Sequence, residues 1–135
     1  MALTVILLLS SLLLLPGLLA NNSEIGKEFP VKLIVQDTIH LTPDQILQTT
    51  IPYRAILLGA MRKISEADPE NFRFEIREDT YYGPFLVSVN GVAGNDTAHT
   101  YWELLKEPNT PLKQGVGCYI PEPNETIILR FTTWD

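Results

Sequence analysis

The sequence predicts an α+β fold, with one main helix packed on a mixed or antiparallel β-sheet in a single small, β-grasp-like domain. Three observations carry that expectation. Apolar residues Tyr53, Ile56, Leu57, Ala60, Ile64 and Ala67 recur at intervals of three and four, which places them on one helical face. From Phe72 the period changes to two, with Phe72, Phe74 and Ile76 alternating with Arg73, Glu75 and Arg77, as in a half-buried strand. Beyond that, short apolar runs separated by Gly, Pro and Asn continue to Trp134, which suits several strands and their turns.

The chain has 135 residues, enough for one domain, and the first twenty lie apart from it in character. Residues 1–20 contain no charge, are rich in Leu, and end in Pro16-Gly17 and the small residue Ala20. That layout predicts a cleaved secretory signal peptide, since the helix-breaking pair and the polar Asn21-Asn22-Ser23 after it argue against an uncleaved anchor. The expected product is secreted and extracellular, with no membrane attachment after cleavage. Sequons at Asn21, Asn95 and Asn124 fit such a route as candidate glycosylation sites.

Val31-Lys32-Leu33-Ile34-Val35-Gln36 is short and β-branched and predicts a first strand, with Pro30 at its start. Thr42-Pro43-Asp44-Gln45 has the form of a helix N-terminus, so a short helix is expected to about Gln48. The main helix is expected from about Thr50 to Tyr53, with Thr49 or Thr50 as cap and Pro52 in its first turn, and to end at Asp68-Pro69. Later strands are expected over Phe72–Arg77, Phe85–Asn90, Tyr101–Leu105, Gly115–Ile120 and Thr126–Thr133, giving a sheet of five or six strands. Asn90-Gly91 is the clearest hairpin signal among them.

Composition excludes several functions. Acidic residues outnumber basic ones 16 to 10, for a net charge of −6, and such a surface repels nucleic acid. The single cysteine, Cys118, means that no intrachain disulfide holds the fold; the thiol is either a small buried hydrophobe or an exposed group able to join another chain. His40 and His99 are far apart in sequence and stand in no zinc-binding spacing, and no nucleophile with a matching base can be assembled. The expectation is a non-catalytic binding or structural domain. What stands out is an aromatic cluster, Tyr81, Tyr82, Phe85, Tyr101, Trp102, Tyr119, Phe131 and Trp134, interleaved with glycines that let backbone amides approach a ligand. Taken singly, most of these rings, Phe85, Phe131 and Trp102 among them, are better explained as core.

Four segments give the cluster a context. Gly83-Pro84-Phe85 with Ser88-Val89 and Gly91, Tyr101-Trp102-Glu103-Leu104-Leu105, Pro111-Leu112 with Gly115-Val116 and Tyr119, and the apolar run ending at Trp134 occur in that order over roughly the last 50 residues. The set resembles the C-terminal β-domain of the vitamin B12 (cobalamin) carriers, the family of transcobalamin, intrinsic factor and haptocorrin. The resemblance implies that residues 21–135 form a transcobalamin-like β-domain and that cobalamin is the ligand. Carried over position by position, it implies ligand contacts from Phe85, Leu86, Ser88, Tyr101, Trp102, Leu112, Gln114 and Gly115. Rings and Leu112 would cover the apolar corrin disc, and Gln114 with backbone groups would meet its amide fringe. His99 is a candidate cobalt ligand by its imidazole chemistry, although its place in a turn beside a sequon points to solvent. In those carriers a helical barrel holds the opposite face of the ligand, and a chain of this length has no room for one. The resemblance therefore implies half of a clamp, aided by a protein partner or receptor. The alternative is a secreted interaction module that kept the fold and lost the vitamin.

Overall fold

The structure is a computed structural model, which describes residues 27–135. The expected signal peptide and the Asn21 sequon lie outside the described residues. The chain forms β1 (Glu28–Asp37), β2 (Gln45–Pro52), α1 (Leu57–Ala67), β3 (Phe74–Asp79), β4 (Gly83–Val89), β5 (Val92–Ala93), β6 (Thr100–Lys106), β7 (Thr110–Pro111) and β8 (Thr126–Thr133). A five-stranded sheet runs in the order β2-β1-β8-β6-β7, and a three-stranded sheet in the order β3-β4-β5. β1 and β8 are parallel neighbours at the centre, whereas β1–β2 and β6–β8 are antiparallel. An opening hairpin, a helix, and a last strand returning parallel to the first make the β-grasp arrangement. Among the described residues no helix is long and apolar enough to cross a membrane.

Alternation in the central strands decides which face is buried. Leu33 stands beside Ile127 and Val35 beside Leu129, while Trp102 and Leu104 of β6 pair with Phe131 and Leu129. These side chains meet Leu57, Leu58, Met61 and Ile64 of α1, and Phe72, Leu86 and Val89 beside the small sheet, in one core. A slip of one residue in any of these strands would turn its whole apolar set to the other face.

Four expectations need correction. No helix forms at Thr42–Gln48; Gln45–Pro52 is strand, paired with β1 over eight residues from Glu28↔Pro52 to Val35↔Gln45. The β-branched residues Ile46, Thr49, Thr50 and Ile51 suit a pleated edge, and this long-range pairing overrides the local capping signal. The main helix begins at Leu57, later than expected, so Pro52 closes a strand and Tyr53 is 51% exposed. The strands divide into two sheets. Gly115–Ile120 forms turns and irregular chain, because its carbonyls serve the helix, as described below.

The Asn90-Gly91 hairpin is as expected. Asn90 and Gly91 have φ of 51° and 83°, the left-handed pair that a two-residue turn between β4 and β5 requires, with Val89 opposite Val92.

Candidate functional site

The turn before β4 is built by one carboxylate. Oδ1 of Asp79 accepts the N–H groups of Tyr81 and Tyr82, each at 2.9 Å, and Gly83 closes the turn at φ 74°. Both tyrosines therefore stand at the hairpin tip with their rings in solvent. Within β4 the side chains then diverge. Leu86 and Ser88 are buried, whereas Phe85 is 49% exposed, and the Arg77 guanidinium lies over its ring at 5.4 Å.

β6 shows the same division. Trp102 is 7% exposed; its indole N–H donates to the Val92 carbonyl at 2.8 Å and its ring lies 5.1 Å from that of Phe131. Its neighbour Tyr101 is half-buried and meets Trp134 edge-on at 5.8 Å, while His99 stacks on the same indole at 5.1 Å. Burial, and after it the carboxylate of Glu103, raise the Tyr101 hydroxyl above the ordinary tyrosine pKa. Between the small sheet and this end of β6 lies a cleft of about 470 Å³, walled by Phe85, Val87, Tyr101 and Trp134, with Arg77 and Asp96 as its charged groups.

The loop from Leu112 to Tyr119 is held by its backbone. α1 has no side-chain cap, and its first amides are satisfied instead by this loop: Leu57 N–H donates to the Tyr119 carbonyl and Leu58 N–H to that of Val116, each at 2.8 Å. The Tyr119 hydroxyl donates to the Glu125 carboxylate, and burial together with that carboxylate raises its pKa well above the ordinary tyrosine value. Leu112 donates its N–H to Leu104 at 2.9 Å and leaves its side chain half-buried, with Gln114 and Gly115 exposed beside it. A second hollow of about 520 Å³ opens here, lined by Pro111, Leu112, Lys113, Gln114 and Tyr119.

Pro84 joins the two regions. A Cβ on Gly117 would stand 2.9 Å from Pro84 Cγ and Cδ, so only glycine lets the loop close on the proline. A Cβ on Gly115 would lie 3.8 Å from the Pro84 carbonyl oxygen, an ordinary contact. Phe85 follows directly in the chain and the loop abuts Pro84, so segments about thirty residues apart in sequence meet on one side of the molecule.

The structure thus groups Phe85, Leu86, Tyr101 and Trp102 around the cleft, with Leu86 and Trp102 as largely buried parts of its lining, sets Leu112, Gln114 and Gly115 on the adjoining loop, and buries Ser88. Arg77, Asp96 and Trp134 line the cleft as well and were not among the expected contacts. For Arg77 the signal was available, because a hairpin that pairs Asp79 with Gly83 necessarily sets Arg77 opposite Phe85. The two described sequon asparagines, Asn95 and Asn124, are exposed, and so is Cys118, which forms no disulfide. Among the described residues no three His, Cys, Asp or Glu side chains gather as a metal site.

Fold and site define a small α+β domain that presents an aromatic cleft beside an ordered loop. No family model matches the chain. Human transcobalamin-2 is 37% identical over 98 residues, covering 67% of this chain and 22% of that protein. Human cobalamin binding intrinsic factor is 30% identical over 96 residues, covering 71% of this chain and 22% of that protein. Haptocorrin in complex with Cbi superposes with a TM-score of 0.73 at 25% identity, over 84% of this chain and 27% of that one. A protein from Ruminococcus gnavus, covered over 100% of its length at a TM-score of 0.56 and 16% identity, shares the fold. The chain belongs to the family of transcobalamin, haptocorrin and intrinsic factor, matching their C-terminal portion and spanning about 22% of the length of the transcobalamins.

Proposed function

We propose that the domain binds cobalamin, non-catalytically, as a secreted protein whose signal peptide ends near Ala20, and that it covers one face of the corrin. The observation that carries the reading is the contact of Gly117 with Pro84, which brings Phe85 and the Leu112–Gly115 loop to one side of the domain. The available groups suit the ligand. Phe85 and Leu112 offer apolar area to a flat disc, and the exposed Gln114 amide offers a donor and an acceptor to its amide fringe. Leu86 and Trp102 contribute to the lining of the cleft, and Ser88 lies buried. Covering a single face recovers less contact than closing on both, while the loss of rigid-body freedom on association is the same, so affinity from this domain alone is expected to be modest.

Titration of the secreted chain with cobalamin, followed by corrin absorbance and tryptophan fluorescence, tests the reading. Binding is expected to quench Trp134, which walls the cleft. Phe85→Ala or Leu112→Ala should each weaken binding roughly tenfold, about 1.4 kcal/mol. An unchanged spectrum at high micromolar ligand overturns the proposal, as does unaltered affinity in both variants.

A further inference from the structure

The Asn95 sequon sits at the edge of the aromatic cleft, with Gly94 and Asp96 on either side both lining it. Its backbone is fixed by reciprocal bonds with Thr100, N–H to carbonyl in each direction at 3.0 Å. Gly94 is equally constrained, since a Cβ there would stand 2.9 Å from the Thr100 carbonyl oxygen. The Asn95 side chain is exposed, and its Oδ1 accepts the Ala98 N–H at 3.0 Å. That bond turns the amide over the Asp96–His99 turn, and the turn carries His99 stacked on Trp134, a wall of the cleft. Nδ2 makes no hydrogen bond among the described residues, so it can be substituted without breaking the turn. Asn124 differs. It borders another groove, of about 650 Å³, with Pro30, Lys32, Gln48 and Thr126, at the opposite end of β8 from Trp134.

We propose that Asn95 carries an N-linked glycan that forms a rim over the aromatic cleft, screening Phe85, Tyr101 and Trp134 from macromolecules while leaving a small ligand a way in. In the transfer, Nδ2 attacks the anomeric carbon of a lipid-diphosphate-linked oligosaccharide. The carbon–oxygen bond to the diphosphate breaks, the lipid diphosphate leaves with the bonding pair, and Nδ2 loses one proton. The product keeps Oδ1, and with it the bond to Ala98. A branched glycan is bulky and fully hydrated compared with a cleft of about 470 Å³, and its attachment within one residue of the lining on both sides fixes where it screens. The inference rests on the secretion part of the reading above and is independent of cobalamin.

The experiment uses the full chain secreted from animal cells. Peptide mass spectrometry after enzymatic glycan release maps occupancy at Asn95 and Asn124. Trp134 fluorescence is then quenched with acrylamide and, separately, with a nitroxide-tagged dextran, in the intact protein, after endoglycosidase trimming, and in Asn95→Gln and Asn124→Gln. Trp134→Phe identifies the signal, because the remaining tryptophan, Trp102, is buried. Trimming and Asn95→Gln should raise quenching by the dextran severalfold, with acrylamide quenching unchanged and Asn124→Gln without effect. An unmodified Asn95, or dextran quenching that is the same with and without its glycan, overturns the proposal. A failed cobalamin titration in every form counts against the ligand assignment alone.

Discussion

β6 and the Leu112–Tyr119 loop contribute similar stretches of the same motif, yet they are held in different ways, the one by a strand ladder and the other by carbonyls bonded to the first turn of α1. In β6 the period of two sends Trp102 and Leu104 into the core, so residue identity there is set mainly by packing. In the loop the backbone carries much of the structure, since the carbonyls of Val116 and Tyr119 cap α1; Val116 is buried in the core, Leu112 is half-buried against it, and Gln114 is exposed. Within either stretch, a residue therefore speaks of packing or of exposed surface according to where its own side chain is placed.

Trp102→Ala should give the largest effect. It removes a buried ring packed on Phe131 and leaves the Val92 carbonyl without its donor, costing about 3–5 kcal/mol in chemical denaturation. If β6 serves packing, the protein that remains folded keeps its cobalamin affinity. Lost affinity at unchanged stability would reverse the roles assigned to strand and loop.

Gly117→Ala comes next. The added methyl meets the Pro84 ring at 2.9 Å, and relieving that overlap should cost about 1–3 kcal/mol. The displaced loop should also bind cobalamin more weakly. Pro84→Ala in the same chain removes the clash, so the pair should be clearly less destabilised than the sum of the two single changes. Additivity in that cycle would show that the loop does not seat on Pro84. By contrast Phe85→Ala and Leu112→Ala, at partly exposed positions, should shift stability by no more than about 1 kcal/mol while changing affinity.

How much of this was legible follows the same division. Strands with a regular period and a marked turn could be read directly: β8 was expected at its observed bounds, and Asn90-Gly91 specified its hairpin through residues that tolerate positive φ. β2 was misread because Thr42-Pro43-Asp44-Gln45 imitates a helix start, and the partner that makes it a strand lies on β1, several residues earlier. The start of α1 carried no local signal at all. Ile56 provides no side-chain cap, and the groups that satisfy the first amides come from residues 116 and 119. The same bonds explain why Gly115–Ile120 is not a strand. At the candidate site, the motif pointed to segments that the fold brings close together, and it could not tell that Phe85 is exposed and Leu86 buried, because which of two neighbours faces out depends on sheet register.

The smallest expected effect concerns pH and tests the anchoring of the loop. Tyr101 and Tyr119 both have hydroxyl pKa values raised by burial and by a neighbouring carboxylate, Glu103 and Glu125 respectively. In the unfolded chain a tyrosine ionises near pH 10. Above that value the unfolded state releases protons that the folded state still holds, so stability is fully present below about pH 10 and declines as pH rises further. Ionised Tyr119 would also set a second negative charge against Glu125, loosening the loop that caps α1. Tyr119→Phe removes this group from the titration. It loses one hydrogen bond at neutral pH, about 0.5–1.5 kcal/mol, and should make the alkaline decline shallower. Denaturation curves measured from pH 7 to above pH 10 check both parts. An alkaline slope identical in Tyr119→Phe would assign the loss to Tyr101, and so to β6 and not to the loop.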